Sequence, residues 1–198
     1  MKVIAEIGWN HMGDMDLAQK MIAAASQAGA DLVKFQYWDP TYLSKGPWDN
    51  DGRREIYNKA ALNEDKIFQL INLSSEHKVE FLISVFGTLG AELIHSLGQK
   101  IIKIPSHETT NLKLIDYCAN NFEEIFFSAG ASTENEIKKA VQVLEKGKSE
   151  YILMHCVSAY PCDDDRINLN RINWLKGLNK RVGFSDHSQS TVVPALAI

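Results

Sequence analysis

Seven short apolar segments alternate with helical segments along the chain, and this alternation is the feature that most constrains the fold. Strands that alternate with helices pair in parallel. An open doubly wound sheet and a (β/α)8 barrel both fit this order. There is no glycine-rich dinucleotide turn after the first strand, and the regular succession of units favours the barrel. The predicted strands cover residues 2–8, 31–36, 79–84, 100–105, 124–130, 151–156 and 181–185.

The predicted strands are one fewer than a closed barrel needs. A (β/α)8 barrel has eight strands, whereas the sequence supplies seven before it ends at Ile198. We therefore expect an α/β fold in which residues 1–198 form a single (β/α)8 TIM barrel domain that is truncated before strand 8. Residues 37–62 are polar and aromatic, and their length predicts a functional loop.

Composition and charge exclude several classes of protein. The net charge is −4, with no long basic run, so nucleic acid is not expected as a partner. No apolar run approaches the length of a membrane span, and the start of the chain reads as a strand, so we expect no membrane partner and a cytoplasmic location. Three cysteines without a CxxC pair argue against a disulfide framework and a structural zinc site.

Polar side chains interrupt the apolar strands, and they cluster towards the carboxyl ends. A single polar residue of this kind would have a structural explanation, since a lone lysine can extend its amine to solvent. Buried ionisable groups at the ends of most strands instead predict an active site, because α/β enzymes place their sites at this edge. The residues are Glu6, Lys34, Gln36, Ser84, Lys103, Ser106, Glu108, Ser128, His155, Ser185, Asp186 and His187.

The residue types at these ends indicate an anionic substrate. Two lysines, several hydroxyls and an amide suit phosphate and carboxylate oxygens. The acidic residues and histidines add acid–base or metal-binding capacity, and His155 with His187 is the obvious metal pair from the residues alone. The sequence contains no GxSxG, HExxH or P-loop motif.

Four stretches resemble the sialic acid synthase (N-acetylneuraminate synthase) family, which includes spore-coat polysaccharide relatives. They are "IAEIGWNHMGDMDLAQKMIAAASQAGADLVKFQ", "KIPSHETTNLKLIDY", "HCVSAYP" and "VGFSDHS", and the resemblance runs from residue 3 to about 190. It implies a (β/α)8 barrel that condenses phosphoenolpyruvate with an N-acylated hexosamine to a nonulosonic acid and phosphate. The hexosamine is N-acetylmannosamine or a legionaminic- or pseudaminic-type precursor, and the expected cofactor is Mn2+ or Mg2+.

The resemblance also implies roles for individual residues. The catalytic residues it implies are Glu6, Lys34, Lys103 and Glu108. Positions matching the phosphoenolpyruvate site are Lys34, Gln36, Ser84, Lys103, Ser106, Ser128 and Ser185. The sugar side matches Glu108, Ser158 and Tyr160, and His187 matches one metal ligand. This places His155 in the pocket wall and Cys156 in packing on the opposite face of the strand.

The sequence departs from the family pattern at three strand ends. Ser106-His107-Glu108 replaces Ser-Gly-Glu, Ser128-Ala129-Gly130-Ala131 replaces Ser-Thr-Gly-Met, and Val85-Phe86-Gly87 replaces Pro-Phe-Asp. The family's second metal-binding histidine and its C-terminal antifreeze-like domain would lie beyond Ile198. We expect a homodimer for the full-length protein and weak metal binding by this chain. Two alternatives stay open: a metal-dependent sugar isomerase or aldolase, and a non-catalytic sugar-binding barrel.

Overall fold

A computed structural model describes residues 1–197 and shows seven strands in that range. The predicted strands are confirmed, each within two residues at either end. The strands are β1 (Ile4–Gly8), β2 (Leu32–Tyr37), β3 (Glu80–Val85), β4 (Ile101–Ile104), β5 (Glu124–Ser128), β6 (Glu150–His155) and β7 (Val182–Phe184).

Helices separate the strands, which confirms the α/β class. They are α1 (Met15–Gln27), α2 (Arg53–Ala60), α3 (Glu64–Glu76), α4 (Thr88–Ser96), α5 (Leu112–Asn121), α6 (Glu134–Leu144), α7 (Arg171–Lys176) and α8 (Val193–Leu196). Side-chain caps start several of them: Asp14 accepts from the amide of Leu17, and Thr133 forms the expected capping box with Glu136. Among the helices that the structure describes, none is long and apolar enough to cross a membrane.

The prediction that residues 37–62 form a loop is wrong in part, because this segment contains helix α2 and two 3₁₀ turns. Its helix is polar, with Ala60 as its one buried residue, and contacts with the preceding turns hold it in place. Arg54 pairs with the carboxylate of Asp49 at 2.5 Å and donates to the carbonyl oxygens of Leu43 and Ser44 at 3.3 and 3.2 Å. One guanidinium thus ties α2 to the turn that precedes it.

The chain packs as two compact units, of which the first is Met1–Val85. Its sheet has the parallel order β1-β2-β3, with Glu6 opposite Lys34 and Gln36 opposite Ser84. Helices α1 and α3 pack against each other, α1 against β1 and α3 against β3. Because side chains alternate between the two faces, these four polar residues share one face of the sheet.

The second unit starts at Phe86 and has the parallel order β4-β5-β6-β7. In this sheet Lys103 lies opposite Phe126, Ser128 opposite Met154, and His155 opposite Phe184. Helix α5 packs between α4 and α6, and α7 packs on β6 and β7. A smaller apolar cluster of Cys162, Ile167 and Val193 closes its C-terminal part. The expectation of a single domain stays a prediction.

Candidate active site

In the first unit, the aligned strands β1 and β2 bring Glu6 and Lys34 into an ion pair. The carboxylate of Glu6 accepts a hydrogen bond from the Lys34 ammonium, which is 8% exposed. Gln36 and Ser84 follow on the same face. Gly8 adopts a φ of +58°, and a Cβ there would lie 3.3 Å from Glu6 Oε1 and 3.6 Å from Gln36 Nε2. The structure therefore brings together the four residues predicted for this unit.

In the second unit, Lys103 is the central charge. It is 4% exposed, and its Nζ donates to Ile104 O at 3.0 Å and to the Ser128 hydroxyl on the neighbouring strand. Burial lowers the pKa of Lys103 to about 8, while negative charge on Cys156 would raise it. A bound anion would favour the ammonium form, so the position suits a phosphate or carboxylate.

Three residues after Lys103, the hydroxyl of Ser106 lies between two partners. The amide of Gly130 donates to Ser106 Oγ at 3.0 Å, and Cys156 Sγ lies 3.0 Å from the same oxygen. A Cβ on Gly130 would lie 2.4 Å from Cys156 Sγ and 2.9 Å from Ser106 Oγ. The residue at 130 must therefore be glycine for the serine and the thiol to approach so closely.

The predicted faces of His155 and Cys156 are wrong. Cys156 contacts Ser106, on the side of the sheet that carries the lysine–serine cluster, whereas His155 points to the other side. There its Nε2 hydrogen-bonds Ile167 O at 2.7 Å, and its ring stacks on Phe184 at 5.7 Å. The sequence could not predict which of these two side chains points to which side of the sheet, since histidine and cysteine both occur on either side.

His155 is therefore a packed histidine. Burial lowers the pKa of its imidazole; the hydrogen bond to Ile167 opposes the shift, and the positive charge of Arg171 adds to it. Its Nδ1 is buried and has no hydrogen-bond partner among residues 1–197. A neutral ring in this position holds the segment before α7 onto β6.

The loops after β6 and β7 bring Tyr160 and His187 together. Their ring centroids are 4.2 Å apart, and Tyr160 is 76% exposed. His187 Nδ1 hydrogen-bonds Val157 O at 2.7 Å, and its carbonyl accepts from the Cys162 amide at 2.8 Å. Asp186 instead caps its own turn, because its carboxylate accepts from the Ser188 amide at 2.9 Å.

The remaining predicted residues occupy the ends of β4, β6 and β7. Glu108 lies in a 3₁₀ turn after β4, where its carboxylate accepts from Asn111 Nδ2 at 2.7 Å. Ser158 is exposed in the loop after β6. The amide of Ser185 donates to His155 O at 2.8 Å, which fixes the end of β7 on β6.

His107, which departs from the family pattern, contacts Phe86, which matches it. The ring of His107 stacks on that of Phe86, with 4.9 Å between centroids and 17° between planes. Partial burial lowers the pKa of His107, with a smaller lowering from the charge of Lys103, and Glu108 opposes the shift. The neutral imidazole is thus the favoured form beside Lys103.

The expected divalent metal is only partly matched by the side chains. If Nδ1 of His187 donates to Val157 O, its Nε2 carries the lone pair that a metal ligand needs. Within residues 1–197, however, no group of three His, Cys, Asp or Glu side chains is placed to hold a metal ion. These residues do not fit a complete Mn2+ or Mg2+ site, which needs several oxygen or nitrogen ligands.

An aromatic cluster in the first unit and the position of Cys156 were not predicted from the sequence. Trp9, directly after β1, stacks on Tyr57 of α2 at 5.1 Å and meets Trp38, directly after β2, edge-on at 5.6 Å. Two tryptophans within two residues of the ends of neighbouring predicted strands were a signal for this contact. The thiol of Cys156 carried no such signal, because a lone cysteine is usually packing.

These features define an α/β protein with parallel strands. Their carboxyl ends carry a buried lysine–serine cluster in the second unit and, in the first unit, a buried lysine paired with an exposed glutamate. The NeuB family model matches residues 21–198, and the chain belongs to the NeuB family. The resemblance found in the sequence is thereby confirmed.

Similar proteins are named as sugar-acid synthases. The chain is 33% identical to an N,N'-diacetyllegionaminic acid synthase of Campylobacter jejuni and 29% identical to a pseudaminic acid synthase of Helicobacter pylori, each over 99% of the chain. It spans 63% and 62% of their lengths. The crystal structure of an N-acetylneuraminic acid synthetase from Leptospira borgpetersenii, in complex with citrate, superposes with a TM-score of 0.91 at 31% identity. That match covers 98% of the chain and 68% of the synthetase.

Proposed function

We propose that this chain carries the phosphoenolpyruvate site of a synthase that condenses phosphoenolpyruvate with an N-acylated hexosamine. The observation that carries the proposal is the buried ammonium of Lys103, which donates to the hydroxyl of Ser128, with the buried Ser106 at the end of the same strand. A buried cation flanked by hydroxyl groups gains most from an anion that replaces its lost hydration. Membership of the NeuB family supports this choice of anion.

The proposed reaction joins C3 of phosphoenolpyruvate to the aldehyde carbon of the open-chain sugar. A carbon–carbon bond forms, the aldehyde oxygen gains a proton, water adds at C2 and phosphate leaves. In the second unit we assign anion binding to Lys103, Ser106, Ser128 and Ser185. In the first unit we assign it to Lys34, Gln36 and Ser84, with Glu6 as the acid–base carboxylate paired to Lys34.

The identity of the sugar substrate is not specified by the proposal. We assign its contacts to Glu108, Ser158 and Tyr160 of the second unit. Glu108 is held by Asn111, and Tyr160 presents an exposed ring, which suits the apolar face of a pyranose or its open chain. The relatives are named for three different sugar acids, so an N-acetylmannosamine, legionaminic-type or pseudaminic-type precursor fits equally.

The finer expectations for architecture and assembly also belong to this proposal. They are the (β/α)8 barrel, a cytoplasmic homodimer and a divalent cation with His187 as one ligand. Seven successive β/α units support the barrel. Nε2 of His187 supports the ligand assignment if Nδ1 carries the ring hydrogen. No step is assigned to the metal, because the described residues do not complete its site.

Phosphate release tests the proposal. The protein is incubated with phosphoenolpyruvate, Mn2+ and a panel of N-acylated hexosamines, and phosphate is measured together with the sugar acid by mass spectrometry. Release that requires both substrates supports the synthase. Turnover of a sugar without phosphoenolpyruvate would instead indicate an isomerase or aldolase. Sugar binding with no turnover by any panel member would indicate a non-catalytic sugar-binding protein.

A further inference from the structure

The sulfur of Cys156 lies where it can control one hydroxyl of the proposed anion site. Cys156 is 2% exposed, and its Sγ is 3.0 Å from Ser106 Oγ. The same oxygen accepts the amide hydrogen of Gly130 at 3.0 Å. Two neighbours therefore compete for the bonding capacity of one serine.

A serine hydroxyl has one proton to donate and two lone pairs to receive. The Gly130 amide occupies one lone pair. If the Cys156 thiol donates to the second, the Ser106 proton is the only bonding capacity left, and it is available to a ligand. If the serine donates to sulfur instead, its proton is turned towards the protein. The thiol is a weak donor and its sulfur a weak acceptor, so an anion that accepts the Ser106 proton favours the first arrangement.

We propose that Cys156 is a positioning residue that donates its thiol hydrogen to Ser106 and so aims the Ser106 hydroxyl at the bound anion. The inference rests on the proposed function for the identity of that anion, phosphoenolpyruvate. It goes beyond that function because it gives a role to a side chain outside the assigned anion contacts.

The surroundings of the sulfur support this role over packing alone. A Cβ at position 130 would come within 2.4 Å of Sγ, so the backbone at Gly130 closes tightly over the thiol and the serine. The buried Lys103 lies on β4, three residues before Ser106, in the same unit. A positive charge nearby favours the serine proton pointing to an anion that the lysine shares.

The chain provides a matched control in Cys118. This thiol is also buried, on helix α5, and desolvation raises its pKa to about 12. Cys118→Ala removes the same atom from a packed interior, away from the residues assigned to the substrates. Cys156→Ser is the conservative variant, because it keeps a hydrogen that can be donated to Ser106.

The first measurement is the infrared S–H stretching band, which needs no substrate. The band of Cys156 is assigned as the difference between the wild-type protein and Cys156→Ala. A thiol that donates absorbs at lower frequency than a non-bonded one, so we expect this band to move to higher frequency in Ser106→Ala. A band that lies at the non-bonded frequency in the wild type and does not move overturns the proposal.

The second measurement is the Kd for phosphoenolpyruvate by isothermal titration calorimetry. We expect Cys156→Ala to raise Kd about 3–10-fold, because an anion must then fix a free hydroxyl rotor. Cys118→Ala should leave Kd unchanged, Cys156→Ser should restore it, and Cys156→Ala should add nothing in a Ser106→Ala background. Wild-type Kd in Cys156→Ala, or independent effects in the double variant, overturns the proposal. If the wild-type protein binds no phosphoenolpyruvate, the proposed function fails and the infrared band alone decides whether Cys156 orients Ser106.

Discussion

The ammonium of Lys103 on β4 donates a hydrogen bond to the hydroxyl of Ser128 on β5, and both residues are almost fully buried. The adjacent register of these parallel strands sets the contact, with Lys103 opposite Phe126 and Ser128 two residues further along. A lysine in such a place weakens the fold unless an anion joins it. The pair therefore links stability to binding.

Lys103→Met is expected to stabilise the protein at neutral pH. The pKa of Lys103 is about 8 when folded and 10.5 when exposed, so between these values the unfolded state holds more protons and wild-type stability rises with pH. The advantage of the variant should be largest below pH 8, at most about 3 kcal/mol, and should shrink towards pH 10.5. Chemical denaturation across this range measures it.

The control for that experiment is Lys100→Met, which changes a mostly exposed lysine before the same strand. Its effect on the free energy of unfolding should stay within about 0.5 kcal/mol at pH 7 and 9. A Lys103→Met variant whose relative stability does not change between pH 7 and 10 would contradict the burial of a charged amine.

Glu6→Gln is expected to destabilise the first unit. The carboxylate is partly exposed but pairs with a buried ammonium, and its removal leaves Lys34 with less compensation. We expect a loss of about 1–2 kcal/mol, below the value for a fully buried pair. Urea unfolding measures it. Glu80→Gln alters the exposed Lys2–Glu80 pair at 3.7 Å and should cost less than about 0.5 kcal/mol. Equal losses in the two variants would show that Lys34 does not depend on Glu6.

The stacked pair of Phe86 and His107 is expected to influence the choice of sugar. Because the rings support each other, Phe86→Ala and His107→Ala should each change the ratio of kcat/KM values across N-acylated hexosamines. Their coupling in a double-mutant cycle should be about 0.5–1.5 kcal/mol. Steady-state kinetics with a substrate panel measures both. Additive effects, with an unchanged order of sugars, would exclude a joint role.

Gly130→Ala is expected to distort the contact of Ser106 with Cys156. The new methyl group would lie 2.4 Å from Sγ and 2.9 Å from Cys156 O and Ser106 Oγ. Such overpacking costs about 1–3 kcal/mol, measurable by thermal unfolding. Adding Cys156→Ala should recover part of the loss, since the sulfur is the nearest obstacle. If the double variant is no more stable than Gly130→Ala, the strain lies in the contact with the backbone oxygen of Cys156.

The fold could be predicted from the sequence to a large extent. Runs such as "EIFFS" and "YILMH" are apolar and short, so their strand identity and parallel pairing follow from burial on both faces. Helix α2 could not be predicted, because Arg54 stabilises it through carbonyl groups distant in sequence. The residues of the helix itself carry no sign of these contacts.

The charged residues of the candidate site could be predicted from the sequence, but the directions of some side chains could not. Lys34, Lys103 and Ser128 were recognised because charge and hydroxyl groups are out of place in buried strands. The faces of His155 and Cys156 were reversed, because the phase of β6 is set by its register with β5 and not by its own residues. The metal stays a prediction, with His187 as its one proposed ligand.

The most direct test of the central claim is the Kd of phosphoenolpyruvate for the wild-type protein, Lys103→Met and Lys100→Met at pH 7, measured by calorimetry. The account predicts that wild type and Lys100→Met bind equally and that Lys103→Met loses at least about tenfold in affinity, since a charge-assisted bond is worth about 1.5–3 kcal/mol. Binding to Lys103→Met with the wild-type Kd would contradict it.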